Sequence, residues 1–277
     1  MKRRILIKKI ILYTILIIGA GFCLMPLVWL VRSSFMTTGQ IFVTPPVWIP
    51  KPFKPENYKL AMTALPFGRY FLNTIIITAG NLAGVLISSS ICAYSFARLR
   101  WRGRNIVFAV LMASMMLPSA VTLIPTFIGW RMLGLIDTFF PLILPAWFGG
   151  GAFNIFLLRQ FYMGIPKELD EAALMDGATH FQIFTRIILP LSKPALIVVG
   201  LFTFLNTWND FFNPLIYLNS NKNFTVALGL QSFQSMYGTQ WNLLMAASTV
   251  VVIPVIIVFL IGQKYFIEGI TLTGIKG

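Results

Sequence analysis

Residues 70–97 read YFLNTIIITAGNLAGVLISSSICAYSFA, twenty-eight positions without an Asp, Glu, Lys or Arg. About 20 apolar residues suffice for a helix to cross a bilayer. A chain in lipid must satisfy its own backbone hydrogen bonds, so a run of this length predicts a transmembrane helix. The pattern repeats. Residues 10–31, 105–130, 138–158 and 223–263 carry no charge, and 194–221 carry only Asp210. Six spans are expected, near 10–31, 71–96, 105–128, 139–158, 195–217 and 243–263. With 57% hydrophobic and 11% charged residues and a mean hydropathy of +0.79, the chain is not a soluble domain. An all-α polytopic membrane protein with one transmembrane domain over residues 1–277 is predicted.

The net charge of +14 is a matter of topology rather than of nucleic-acid binding. Six spans put both termini on one side. That side holds fifteen of the basic residues: Lys2, Arg3, Arg4, Lys8, Lys9, Arg98, Arg100, Arg102, Arg104, Arg159, Lys167, Arg186, Lys193, Lys264 and Lys276. The other side holds seven: Arg32, Lys51, Lys54, Lys59, Arg69, Arg131 and Lys222. The positive-inside rule places the termini in the cytoplasm. The basic start and apolar run at the N-terminus imitate a signal peptide, but the run is too long for one and reads as an uncleaved first span. Cys23 and Cys92 fall within spans and read as small apolar residues rather than as a disulfide or a metal site.

Several segments between and within the spans carry their own signals. The external segment 32–69 is rich in proline (Pro45, Pro46, Pro50, Pro52, Pro55), which favours stiff extended backbone over helix. Trp48, Phe53 and Tyr58 should pack it onto the outer face. "RLRWRGR", residues 98–104, reads as a basic turn anchored near anionic lipid. Gly149, Gly150 and Gly151 in span four allow either a local break or close helix packing. In span five, Asn206, Trp208, Asn209 and Asp210 are candidates for a substrate pathway, because ionisable groups in a span usually face a cavity or a partner. The segment after Lys222 is rich in Gln, Ser and aromatics and reads as an external loop suited to sugar or protein contacts.

The loop 163–190 contains ELDEAALMDGATHFQIFTRIILP, residues 168–190, with four of the chain's eight acidic residues. These carboxylates do not read as catalytic, since an acid/base pair needs a pocket that separates the two pKa values. His180 is the lone histidine, so no metal site is expected. No Ser/His/Asp arrangement or phosphate-cradling loop is present, so the chain has no visible means of hydrolysing ATP. Instead, Pro166 suits a first helical turn, and Glu168, Asp170 and Glu171 place negative charge at the positive end of the helix. Ala172 and Ala173 permit close approach, Leu174 and Met175 follow as exposed apolar knobs, and Gly177 suits a C-terminal stop. Thr179 should cap a second short helix through Ile188, ended by Pro190. Helix, glycine turn, helix along the inner membrane surface is a docking element.

Glu171-Ala172-Ala173, three residues, Gly177, nine residues, then Ile187-x-Leu189-Pro190 resembles the EAA signature of permease subunits of binding-protein-dependent ABC importers. "PPVWIPKPFKPENY", "FNIFLLRQF", "TWNDFFNPLIYL" and "QKYFIEGITLTGIKG" resemble the carbohydrate-uptake branch, in particular the six-span subunit of the maltose-transporter type. The resemblance implies the type I importer permease fold, with a coupling helix between spans four and five. Glu171, Ala172, Ala173 and Gly177, flanked by Leu174, Met175 and Asp176, would engage an ATPase. The tail 264–277, with Gly274, Lys276 and Gly277 at its end, resembles tails that insert between two ATPases. Gln231, Phe233, Gln234, Tyr237 and Gly238 resemble the external loop that probes a solute-binding protein.

The resemblance also implies a set of partners. They are a second permease in a heterodimer, two ATP-binding-cassette subunits carrying ATP and Mg, an extracytoplasmic binding protein, and a sugar or oligosaccharide. The chain itself would bind no cofactor, catalyse nothing, and lie in a bacterial cytoplasmic membrane. Alternatives are a same-branch permease for a non-sugar solute such as glycerol phosphate, or a secondary transporter or channel. The last would want coupling carboxylates within spans and internal repeats, and only Asp210 is present.

Overall fold

The uncharged runs fold as helices, and proline or glycine decides where each is interrupted. The computed structural model describes the backbone of residues 2–235 and 238–274, and the side chains of residues 6–118, 120–234 and 239–264. The helices are α1 (Lys2–Ser34), α2 (Thr38–Ile41), α3 (Glu56–Ala64), α4 (Phe67–Ala97), α5 (Arg104–Ser114), α6 (Ser119–Met132), α7 (Phe140–Ile143) and α8 (Ala152–Gly164). After these come α9 (Glu168–Met175), α10 (His180–Ile183), α11 (Leu189–Leu191), α12 (Lys193–Trp208), α13 (Phe212–Tyr217), α14 (Val226–Gln231) and α15 (Trp241–Gly274). One two-residue antiparallel strand pair, Gln234–Ser235 with Gly238–Thr239, joins α14 to α15. The protein is an all-helical, multi-pass membrane protein.

Among the described residues four helical stretches are long and apolar enough to cross a membrane: Leu6–Ser34, Phe67–Arg98, Phe140–Gly164 and Trp241–Lys264. His180–Leu191 and Lys193–Trp208, bent by 76° at the break between them, are together long and apolar enough to count as a fifth if taken as one span. The run at 105–130 is divided between α5 and α6, because Pro118 has no N–H to continue a helix and biases Leu117 away from helical backbone. The last helix runs on through Lys264 to Gly274, so the described part of the expected tail is helical. Lys276 and Gly277 lie outside the described residues.

The chain divides into two compact units. In the first, residues 1–67 and 229–253, α1 exposes its apolar side chains along nearly its whole length. Residues 42–55, which hold all five prolines, contain no helix, and α3 begins directly after the last of them. Pro55, with φ −67° and ψ −19°, starts α3, and no proline follows within that helix. Its fixed φ is already helical, so the same residue type that stiffens the loop also nucleates the turn. Two buried polar groups hold the segment. Arg32 donates Nε to the Val47 carbonyl at 2.8 Å while its guanidinium lies 4.2 Å from the Trp29 ring centroid. Asn57 donates to the carbonyls of Ser34 (2.9 Å) and Met36 (2.8 Å).

The second unit comprises residues 68–228 and 254–277. Its core joins α4, α8, α10 and α12 through Tyr94, Leu158, Tyr162, Ile183, Ile188 and Val199. Along α4 runs a stripe of small and polar residues at helical spacing: Gly80, Asn81, Gly84 and Ser88. A Cβ on Gly84 would lie 2.7 Å from Trp147, and one on Gly80 2.8 Å from Ile143. Asn81 donates to the Leu142 carbonyl and Ser88 to the Ala146 carbonyl, both at 2.9 Å. Gly149, Gly150 and Gly151 all have positive φ, and a Cβ on Gly150 would sit 3.0 Å from the Val85 backbone. The triple glycine is therefore both a break and a close contact.

Asp137 fastens the loop before α7 to residues 219–223. It stands at φ +62° and its Oδ1 accepts the N–H groups of Asn219 and Ser220, both at 2.9 Å. Its Oδ2 accepts the Ser220 hydroxyl, and its carbonyl accepts Asn223 Nδ2 at 2.7 Å. Burial would raise this carboxyl, but the hydrogen bonds from Ser220, Asn219 and Asn223 together hold it well below the usual carboxylate range.

Two predictions follow from these contacts. Gly84→Val forces branched bulk against Trp147 and should lower stability by about 1–3 kcal/mol, read as a drop in thermal midpoint in detergent. Asp137→Asn keeps a residue that tolerates left-handed backbone and removes the charge. Because the folded chain binds the Asp137 proton less tightly than the unfolded chain, its stabilisation is complete above about pH 5 and lost as pH falls through about 4 and below. The thermal midpoint of the variant should accordingly fall less than that of the wild type between pH 6 and about 3.

Candidate functional site

The acidic stretch forms α9, eight residues with Glu168, Asp170 and Glu171 in its first turn. Lys167 is the N-cap, so Pro166 stands one residue ahead of the helix instead of inside its first turn. The far end is closed by a complete Schellman motif. Ala178 N–H donates to the Ala173 carbonyl at 2.9 Å, and Gly177 N–H to that of Leu174 at 3.0 Å. The motif requires a left-handed residue, and Gly177 has φ +78°. Nothing lies within 4 Å of where its Cβ would be, so glycine is needed there for conformation and not for space.

The helix has two faces. Asp170 and Ala173 turn inward, with Ala173 and Ala178 packed against the core. Glu171, Ala172 and Asp176 are exposed, with Leu174 at 45% and Met175 at 88% exposure. An 88%-exposed methionine beside an exposed leucine, next to small alanine, is a surface with nothing of its own chain covering it.

What holds the inner face was not apparent in the sequence. Arg98, at the end of α4, has a side chain only 2% exposed and pairs through Nη1 with Asp170 Oδ2 at 3.2 Å. Its Nη2 donates to the carbonyls of Tyr162 and Ile165, both at 2.7 Å, at the C-terminal end of α8. One guanidinium thus joins α4, α8 and α9, and it places a cation where the α8 dipole is negative. Burial outweighs the partner at Asp170: desolvation pushes its carboxyl up, Arg98 and His180 pull it down, and Glu171 adds to the rise. Tyr94 adds a second tie, donating its hydroxyl to the His180 carbonyl at 3.1 Å.

Thr179 caps α10 through a reciprocal box with Gln182. Thr179 N–H donates to Gln182 Oε1 (2.7 Å), and Gln182 N–H donates to Thr179 Oγ1 (3.3 Å). The helix does not end at Pro190. It widens into a π turn over Phe184–Ile188 and continues through Leu191, the wider turn making room for a ring that would collide with a regular helix.

A second candidate region is a cavity of about 390 Å³ between α4, α6, α7 and α13. Asn81, Thr126, Trp130, Thr207, Asp210 and Asn213 line it with polar groups. Of the four pathway candidates only Asp210 faces it. Trp208 is 4% exposed and stacks on Phe204, Asn206 points outward, and the exposed Asn209 returns its amide to the Leu205 carbonyl. Asp210, just ahead of α13, accepts from Asn213 N–H (3.1 Å) and Nδ2 (2.8 Å). Asn81 and Trp130 were missed because each lies alone in another run. The signal for Asn81 was an amide in the middle of an uncharged segment.

In the expected binding-protein loop, Gln231 and Gln234 are exposed. Phe233 is 5% exposed and stacked on Phe67, so its ring is core and unavailable to a partner. Tyr237 lies outside the described residues, and Gly238 contributes backbone to the strand pair. Among the described residues no group of three or more His, Cys, Asp or Glu could hold a metal ion.

Residues 80–271 match the family described as the binding-protein-dependent transport system inner membrane component. The arabinooligosaccharides transport system permease protein AraQ of Bacillus subtilis (strain 168) is 38% identical over 229 residues, covering 82% of this chain and 81% of that protein. The trehalose/maltose transport system permease protein MalG of Thermococcus litoralis is 31% identical over 278 residues, 99% of each chain. A chain of a bacterial ABC transporter involved in the import of the acidic polysaccharide alginate superposes with a TM-score of 0.82 at 27% identity, over 94% of this chain and 96% of that one.

The Arg98 cluster makes a direct prediction. Arg98→Ala leaves Asp170 facing a buried, uncompensated site and should cost about 2–4 kcal/mol, whereas Arg98→Ala with Asp170→Ala should cost less than the sum of the single changes. Additive losses in a thermal or denaturant double-mutant cycle would show that the two groups do not interact.

Proposed function

Because the chain belongs to the binding-protein-dependent transport system inner membrane components, we propose that it is the smaller permease of an ATP-driven importer of a sugar or oligosaccharide. In this reading α9 is the coupling helix. It docks in a cleft of one ATPase subunit, which holds ATP and Mg, and this chain catalyses nothing itself. A second permease completes the pathway, and an extracytoplasmic binding protein delivers the solute. Both termini lie in the cytoplasm, on the side where the basic residues concentrate.

The observation that carries this reading is the two-sidedness of α9. Its outer face presents Leu174 and Met175 uncovered, while its inner face is fixed to α4 and α8 by a buried arginine. A docking surface with a rigid backing can receive a push and pass it on. A solvated loop would need neither feature.

The cavity supports a neutral, hydroxyl-rich solute. Its volume of about 390 Å³ lies in the range of ligand pockets. Amides, hydroxyls and an indole line it, and among the described residues that line it Asp210 is the one charged side chain. With no cation along the wall, glycerol phosphate would meet repulsion, whereas a glycoside would find acceptors, donors and a ring to stack against. Alternating access would open this cavity to one side at a time.

Gly177→Pro cannot adopt φ +78° and removes the N–H that closes α9, and Met175→Glu alters only the exposed face. Both variants should insert and assemble with normal subunit ratios, yet lose binding-protein-stimulated ATP hydrolysis by at least about tenfold, a loss of roughly 1.4 kcal/mol of coupling. Wild-type stimulation in Met175→Glu would sink the docking assignment.

A further inference from the structure

A cavity in the second unit lies beside α9, and the transport reading uses only its rim, at Glu171 and Leu174. It measures about 970 Å³ and opens among the ends of α4 and α8 and the starts of α5 and α9. Arg98, Arg100, Arg104, Arg159 and Lys167 line it, against Asp170 and Glu171. Among the described residues, Arg98 alone of the five meets a carboxylate. The charge is therefore far from balanced.

Two guanidinium nitrogens there are buried without an acceptor, the Nε of Arg98 and the Nε of Arg159. Arg159 lies over the Phe108 ring at 4.1 Å, a contact that fixes the group without giving its N–H groups a partner. Arg104 spends Nη1 on the Leu99 carbonyl at 2.8 Å. Like charges gathered in a recess, with donors left over, are complementary to an anion that accepts several hydrogen bonds at once.

The surroundings say what kind of anion. A recess of about 360 Å³ shares Arg100, Trp101 and Arg104 with the cavity and reaches Ile106. Beyond it the outward side of α5 is bare and apolar, with Ile106 71% and Val110 65% exposed. Trp101, 38% exposed, suits the level of lipid headgroups. Basic recesses between membrane helices with apolar faces leading away from them suit an anionic headgroup with its acyl chains alongside.

We propose that this cavity is a binding site for an anionic phospholipid. Arg104 and Arg159 take the phosphate oxygens, and the acyl chains lie along Ile106 and Val110. Arg98 remains committed to Asp170 and α8. The bound headgroup joins α5 and α8 to Lys167 at the start of α9, so lipid composition tunes how firmly the docking helix is held. A free phosphate shares the headgroup chemistry but has no use for the apolar face, and an acidic side chain of an ATPase subunit is the other occupant to distinguish.

The test is native mass spectrometry of the assembled transporter in mild detergent, titrated with phosphatidylglycerol, phosphatidylcholine or inorganic phosphate. Wild type should hold one tightly bound phosphatidylglycerol that phosphatidylcholine does not replace and millimolar phosphate does not displace. Arg104→Gln with Arg159→Gln should bind it roughly 25-fold more weakly, about fivefold for each arginine. Arg104→Lys with Arg159→Lys keeps the charge and should retain most of the binding, which separates lost contact from lost assembly. Equal retention of the two lipids, unchanged binding in the glutamine variant, or displacement by phosphate would each overturn the proposal. Binding that appears only after the ATPase subunits are stripped would assign the cavity to an acidic side chain of an ATPase.

Discussion

A single buried guanidinium fixes the geometry of α9. Arg98 sits where α4 leaves the apolar region, and its hydrogen bonds go to Tyr162, Ile165 and Asp170, which belong to two other segments. At the end of α8 the Tyr162 carbonyl receives one backbone N–H, from Ile165 at 3.2 Å, and a buried carbonyl left unanswered is costly. An arginine answers two carbonyls and a carboxylate from one planar group, which an ammonium could not do with the same geometry. Stability at this junction and the orientation of α9 therefore have the same cause. At Asp170 burial pushes the carboxyl up while Arg98 pulls it down, the usual competition between desolvation and attraction in a buried pair.

The same helix that ends in Arg98 also organises the broken segment on its flank. From Phe140 to Gly151 the chain is α7, a tight turn and three glycines, which leaves carbonyls without regular partners. Irregular backbone at membrane depth is tolerated only when protein satisfies it. Asn81 and Ser88 do so directly, and Gly80, Gly84 and Gly150 let the two backbones come near enough for those bonds to form. One stripe on α4 thus combines absence of bulk with well-placed donors. Asn81 also faces the cavity, so the residue that steadies the break helps to line the space beside it.

How much of this was legible depends on the range of each interaction. Uncharged runs report membrane helices because the bilayer acts on every residue of a span, and local signals such as Gly177 and the Thr179–Gln182 box depend on neighbours a few positions away. Both could be read from the chain, and so could the exposed apolar knobs of α9. Arg98 could not, since its partners lie 64 to 72 positions further on and nothing in "RLRWRGR" distinguishes it from Arg100 or Arg102. Trp208 and Phe233 misled for a related reason. An aromatic in a polar segment can be recognition surface or core, and only the tertiary fold shows the Phe204 and Phe67 rings stacked on them. The proline-rich stretch read correctly as non-helical, since residues 42–55 hold all five prolines and no helix, and α3 begins directly after Pro55.

On the proposed coupling, the two ends of the acidic stretch respond differently to a push on Leu174 and Met175. Toward the N-terminus, α9 is clamped to α4 and α8, so displacement there moves those helices with it as one block. Toward the C-terminus the path runs through the left-handed turn at Gly177, a π turn at Phe184–Ile188 and a 76° bend at Ser192 before α12 begins. Each of these is a place where a few dihedrals can absorb rotation. The cavity takes its wall from both sides of this contrast, Asn81 from the clamped block and Thr207 and Asp210 from the far end of α12. A force that carries α4 and α8 rigidly while the corner before α12 yields must change the spacing between those walls. On the proposed coupling, spans four and five then act together, the first as lever and the second, through its corner, as hinge.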